Sequence, residues 1–525
     1  MQIRFGLGNL SLALITAFGV STLSAQAPVL RNPEVNVARG AVSIPVRDMP
    51  EAPLLNGRLL EKPLRLVHPA NPITSIGDPV LQDSATVNAA IVTAGLNIEG
   101  LGNGFPGFSV NAAPPDTNGT AGATQFVQWV NESFEVFSKT GTPLKGPVAG
   151  NTVFAALGNH PCALNNDGDP IAQYDKANNR WILTQFSVTN GSVEGFWQCV
   201  AVSTTNDATG TFNVYAFQQP NFNDYPKLGV WPTGYFVTFN MFTNVFQGPR
   251  ICALDGAAMR AGAATATQIC FQLPNTFGSI LPSDVDGTMA PPGDPYFVSF
   301  GSAILNVWRA NVNFTAGTGT LTGPITTSIS AFSEACSGGS CIPQPSTSQK
   351  LDSLGDRLMY RFAYRNFGNG KESLLVNHSV KVSRKQPAGV RWYELSPNAS
   401  TGGLSLVQSG TFAPADGASR WMGSIAQDKF GNIAVGYSVS SGSVFPSIRV
   451  ATRAPADPPG TLGSETNLFL GSGSQLRNLN RWGDYSSMAL DPVDDCTFWY
   501  TTEYLAENGT FNWHTRIATF KLPGC

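Results

Sequence analysis

Residues 224–242 read DYPKLGVWPTGYFVTFNMF. A polar anchor leads into an apolar strand, Pro232 and Gly234 turn the chain, and a second strand follows in which aromatic and β-branched residues dominate. The same unit recurs along the chain. GDPIAQYD runs into RWILTQFSV from Gly168, RLMYRFAYR precedes SLLVNHSV from Arg357, RWMGSIAQD precedes NIAVGYSVS from Arg420, and RWGDYSSMALD precedes CTFWYTTEY from Arg481. Two weaker copies complete the set: PPDTNG with TQFVQWVN and SFEVFSKTG from Pro114, and DVDGTMAPPGDPYFVSFG from Asp284, whose first strand is short and broken by proline. A repeat of roughly 50–70 residues lies in the range of propeller blades with insertions. Third and fourth strands are legible after most copies, as in FWQCVAVST with FNVYAFQ, and four strands are what a blade requires. The expected fold is all-β, a seven-bladed β-propeller with an extended N-terminal arm. The competing all-β folds are a parallel β-helix, whose rungs are shorter, and an array of sandwiches.

Composition agrees with many short strands and turns: 54 Gly, 37 Pro and 32 Phe. Charged residues make up 13% and the net charge is -3, so no basic surface is available for nucleic acid or an anionic membrane. Arg4, the apolar run from Phe5 to Val20 and the small residues Ser24 and Ala25 read as an export signal over 1–25, too short to be a spanning anchor. The Pro- and Asn-rich stretch 26–113 reads as the arm, one strand of which would close the ring, and 114–525 as the propeller. A secreted or periplasmic monomer is expected, with no membrane span after cleavage. Eight cysteines suit that compartment, and sequential pairing is expected: Cys162 with Cys199, Cys252 with Cys270, Cys336 with Cys341, Cys496 with Cys525. The four scattered histidines offer no zinc spacing. No cofactor is expected, and calcium in an oxygen-rich site is the one metal the acidic residues leave room for; the DGD of Asp167 to Asp169 reads more simply as a turn.

Taken together, PPDTNG, NDGDPIAQYDKANNRW, NDYPKLGVW, KLDSLGDRLMYRFAYRNF, RWMGSIAQD and NRWGDYSSMALDPVDDCTFWYTTEY resemble an uncharacterised family of secreted bacterial proteins over residues 114–504. The layout also resembles sialidase-like carbohydrate-active propellers. It lacks their repeated S-x-D-x-G-x-T-W box, which DDCTFW only echoes.

Radial stacking would gather the residues that open the inner strands around one mouth. Those residues are Asp116, Asp169, Asp224, Asp286, Asp356 and Asp484, interleaved with Lys227, Arg357, Arg420 and Arg481. Asp169 and Asp224 are the candidate acid and base of a glycosidase, and Tyr225 and Tyr485 the candidate phenolic nucleophile or base. Arg357, Arg420 and Arg481 would clamp a carboxylate or sulfate, with Asp484, Trp421 and Trp482 also lining the substrate site. These residues point to a hydrolase or lyase acting on an anionic glycan. The alternative is a non-catalytic propeller that binds a glycan, a protein or another extracellular partner, its anchors satisfying one another around a wet channel.

Overall fold

The structure is a computed structural model describing residues 1–2, 28–54, 59–67, 77–84, 92–188 and 195–525. The export signal expected from Arg4 to Ala25 lies outside the described residues. Among those residues no helix is long and apolar enough to cross a membrane. The four disulfides are the sequential pairs, and no cysteine is free, which fits an oxidising compartment.

The fold is all-β. Seven antiparallel runs of strands follow one another, each opening with an inner strand: β1 (Asn118–Ala121), β2 (Ile171–Asp175), β3 (Phe222–Trp231), β4 (Leu281–Asp286), β5 (Leu358–Asn366), β6 (Ser419–Gln427) and β7 (Ser487–Leu490). In the third run the quoted stretch forms a hairpin in which Trp231 faces Gly234 across the Pro232–Thr233 turn. Each inner strand contacts the inner strand of the next run, and β7 contacts β1, so the seven inner strands make a closed circuit. The sheets themselves are not seven separate ones. Parallel pairing of Ser283–Asp286 with Phe362–Arg365 joins the fourth and fifth runs, and the segment Glu34–Val42 pairs with both Phe212–Gln219 and Thr265–Gln272, joining the second and third.

Aromatic residues fill the space between neighbouring runs. Phe126 stacks on Trp499 at 4.9 Å, Phe236 meets Phe297 edge-on at 5.7 Å, and Phe412 lies 6.1 Å from Tyr437. The segment before residue 114 does more than wrap. Val29–Leu30, Glu34–Val42 and Leu81–Gln82 dock on fourth strands, and Thr93–Glu99 pairs with His514–Lys521 to supply the fourth strand of the last run. Glu34–Val42, paired on both sides, removes two edges from exposure to other chains.

One buried carboxyl in the first run makes stability depend on pH. Glu135 is sealed from solvent, its Oε2 meets no donor, and only a glycine at 146 leaves room for it. Burial, reinforced by Glu51, pushes its carboxyl up to about 8. The unfolded chain ionises this group near 4.5, so stability present below that pH is lost progressively as pH climbs toward 8. Glu135→Gln, which needs no proton to stay neutral, should melt well above wild type at pH 8 and close to it at pH 4. Melting curves that differ equally at both values would disprove the assignment.

Candidate functional site

Each run has one non-glycine residue with left-handed backbone at or just before its inner strand: Asp116 (φ 50°), Asp169 (48°), Tyr225 (56°), Ser279 (45°), Leu354 (44°), Met422 (53°) and Asp484 (60°). Such a conformation costs about 1–2 kcal/mol for a residue with a Cβ. Its recurrence in every run sets the direction in which these side chains leave the inner strands. Three of the seven are aspartates, on the consecutive strands β7, β1 and β2.

Around them the interior is densely charged. Tyr225 donates its backbone N–H to Asp169 Oδ2 at 3.2 Å and its hydroxyl to the Asp484 carbonyl; Tyr485 donates its hydroxyl to the Pro170 carbonyl at 3.0 Å. The Lys227 ammonium lies over both rings, 3.4 and 3.9 Å from their centroids, and donates to the Pro226 carbonyl. Arg481 reaches Asp352 and Asp484 at 2.5 Å each, and Arg357 binds Asp356 through two nitrogens while lying 4.7 Å over Tyr225. Glu503 accepts from the Gly483 N–H. Burial, with Asp484 and Asp169 nearby, holds the Asp116 carboxyl well above the usual carboxylate range. Burial also raises Asp169, against the pull of Lys227, and raises Asp224, where Asp169 adds to the effect. Desolvation lowers Lys227 to about 8 although the carboxylates around it favour its charge. Asp224 differs from the other carboxylates of the cluster in being half-buried; they are buried.

A strap from the N-terminal segment crosses this cluster. Leu60–Glu61 pairs with Ala112–Ala113, and the chain then runs to Val67 over the charged residues. The Lys62 carbonyl accepts from Arg481 Nε at 2.9 Å, the Arg65 carbonyl accepts from Arg357 at 2.7 Å, and the Val67 N–H donates to Asp356 at 2.8 Å. Lys62 itself binds Glu132 and the Asp167 carbonyl. The Arg65 guanidinium stacks on Phe222 and Phe242, 4.8 and 5.5 Å from the ring centroids, and has no ion pair among the described residues. It lines a cleft of about 450 Å³ with Phe196, Phe222 and Phe242. Phe222 sits two residues before Asp224, on the same face of β3.

The structure therefore brings together Asp169, Asp224, Tyr225, Tyr485, Arg357, Arg481 and Asp484, and corrects several expectations about them. Arg420 is elsewhere: it forms a bidentate pair with Glu465 at 2.7 Å and a second with Asp416, beyond any shared ligand with the cluster. Arg357 and Arg481 are each paired with buried carboxylates and donate to strap carbonyls, and Arg420 lies apart from them, so the three arginines make no clamp. Tyr225 and Tyr485 are poor bases, because burial drives both phenols far above their ordinary range. Trp421 and Trp482 are fully buried against each other, 5.9 Å between centroids, with Trp482 Nε1 on Ser438 Oγ; they are core and present no face to a ligand. Asp286 joins a separate network with Arg361 and Lys176. Lys62, Arg65, Asp352 and Glu503 belong to the site and escape the sequence reading. The first two lie in a segment without periodicity; Asp352 and Glu503 sit away from the repeated anchor positions.

No protein-family model matches the chain, and no curated protein does. Among solved structures it is similar to the endo-arabinase of Bacteroides thetaiotaomicron (12% identity, TM-score 0.28, covering 68% of this chain and 94% of that one). It is also similar to the WD40 domain of SCAP from fission yeast (7%, 0.33, 76% and 82%) and to an endo-1,5-α-L-arabinanase from Thermotoga petrophila (11%, 0.27, 83% and 99%). Similarity of this degree carries neither fold nor function.

Proposed function

We propose that the chain is an exported seven-bladed β-propeller with a carbohydrate-active centre, a hydrolase or lyase that cleaves an acidic glycan beside β3. Asp224 is the proton donor, and the ionised counterpart comes from the Asp169 side of the cluster. The observation that carries the reading is the position of Asp224. It is a half-buried carboxylate whose neighbours include Asp169 and Arg65, the latter lining the aromatic cleft, a setting in which one carboxyl stays protonated while another is charged. The acidic group of the substrate falls to Arg65 in place of the three arginines, since its guanidinium lies free over two phenyl faces that a sugar ring can share.

Asp224→Asn should lower turnover of acidic polysaccharides by about 10²–10⁴-fold with the melting temperature unchanged. An equally active Asp224→Asn, or a wild-type protein that cleaves nothing on a broad panel of acidic and neutral glycans, would end the proposal.

The second reading is a non-catalytic binding propeller. It is favoured by the strap, which lies across the centre on three backbone hydrogen bonds, two of them taken from Arg357 and Arg481. Retention of a polysaccharide by wild-type protein, without cleavage, and equal retention by Asp224→Asn would select it.

A further inference from the structure

We infer that the cleft between the fifth and sixth runs binds a small zwitterion of the amino-acid class, its carboxylate on Arg453 and its ammonium on Glu394 and Gln427. The cleft measures about 610 Å³, and these three residues line it. Sites that hold small molecules run from about 300 to 1,000 Å³. All three side chains are sealed into the wall, at 4%, 5% and 3% exposed. Arg453 gives Nη2 to the Asp457 and Pro458 carbonyls, its Nε meets no acceptor, and it forms no ion pair among the described residues. Gln427 donates Nε2 to the Gly431 carbonyl, while its Oε1 meets no donor. The Glu394 carboxylate accepts from the Ser373 hydroxyl at 3.1 Å and the Gln408 amide at 2.5 Å, both neutral groups.

Opposite charges buried in one cleft ordinarily close into a pair, because each is costly to bury alone. These two lie within electrostatic reach: burial lowers the Arg453 guanidinium, and Glu394 works against that effect. They are nevertheless tethered apart. Glu394 faces Gln408 across two strands of the fifth run, and Gln408 is itself fixed by the Gly460 N–H; Arg453 ends a strand of the sixth run and is held by the loop that follows it. A ligand carrying both charges on a short backbone would satisfy both and give the free Gln427 oxygen a donor. Lys371 and Glu372 also line the cleft, but the ammonium lies over Phe367 and the carboxylate accepts from the Tyr364 hydroxyl. Val407, 54% exposed, and Pro397, Pro455 and Pro459 form an apolar wall. That wall suits an apolar side chain; a sugar would stack on aromatic rings, which are absent from the described lining.

Gln427 is the last residue of β6, whereas the charged cluster gathers where the inner strands open, so this inference stands apart from glycan cleavage. The test uses the full chain, a thermal-shift panel of the common L-amino acids with glycylleucine, and calorimetry on the compound that raises the melting temperature most. We expect an apolar amino acid or the dipeptide to lead, binding one equivalent per chain with a Kd of about 1 mM or tighter. The N-acetyl derivative of that compound, without the ammonium, and its amide, without the carboxylate, should each bind wild-type protein about 10-fold more weakly or worse. Glu394→Gln and Arg453→Gln should weaken the parent compound by a similar factor; if either fails to fold, the two derivatives still read each charge on the intact chain. An absence of binding at about 10 mM across the panel would overturn the inference. An affinity that neither the derivatives nor the folded variants change would overturn it as well, by placing the ligand elsewhere. Asp224→Asn should bind the same compound as wild type does, so failure of this inference and failure of the acid–base proposal are read separately.

Discussion

Arg481→Leu should remove about 3–5 kcal/mol of stability, the cost of breaking a buried ion pair from one side. Two carboxylates lose their cation together: among the described residues Asp352, fully buried, keeps only the Trp482 N–H at 2.8 Å, and Asp484 loses its one hydrogen-bond donor. The Lys62 carbonyl loses a donor in the same step, so the strap is loosened where it crosses β7. Denaturant unfolding measures the loss as a lower midpoint at unchanged slope. Adding Asp352→Asn should return part of it, because the doubly substituted site buries one charge fewer. A single variant as stable as wild type would mean that these carboxylates are protonated in the native protein and that Arg481 neutralises nothing.

Arg420→Ala should cost about 3 kcal/mol by the same mechanism and leave the chemistry of the folded protein untouched. Glu465 loses two bonds of 2.7 Å and falls back on Arg449 at 3.0 Å and the Tyr437 hydroxyl at 2.9 Å, which is why the loss is smaller than for Arg481. Asp416 is half exposed and water replaces its partner. If the proposed glycan cleavage is observed, turnover per folded molecule, measured at a temperature where the variant remains native, should equal that of wild type. A folded Arg420→Ala that has lost activity would return this arginine to the substrate site.

The contrast between the two arginines shows how far the sequence could be read. Both open a repeat with Arg-Trp, at Arg420-Trp421 and Arg481-Trp482, and nothing local separates them. What separates them is supplied by distant chain: Asp352 and the strap at one, Glu465 on the outer side of its own run at the other. The inner strands themselves were legible, because each starts from a polar anchor and runs into a buried apolar strand in register with an aromatic one. The acids Asp116, Asp169, Asp224 and Asp484 were legible for the same reason. A ring-closing strand from the N-terminal segment is expected from the sequence, and Thr93–Glu99 is that strand; the docking of Val29–Leu30, Glu34–Val42 and Leu81–Gln82 on other runs is not. Glu34–Val42 lies between two fourth strands and stays largely exposed, so its residues carry little inward-facing period, and its pairing rests on backbone hydrogen bonds that any side chain permits. Lys62 and Arg65 inherit that silence.

The pairing of Thr93–Glu99 with His514–Lys521 bears on how the protein is made. Arg516 and Glu99 meet although they lie 417 positions apart in the chain, so the early strand has no partner until His514–Lys521 has been made. Until then the two ends wait as open edges, the state in which strands recruit the wrong neighbour. Assembly is thus a clasp that snaps shut late, and a chain released before His514–Lys521 is made would have nothing to fasten it.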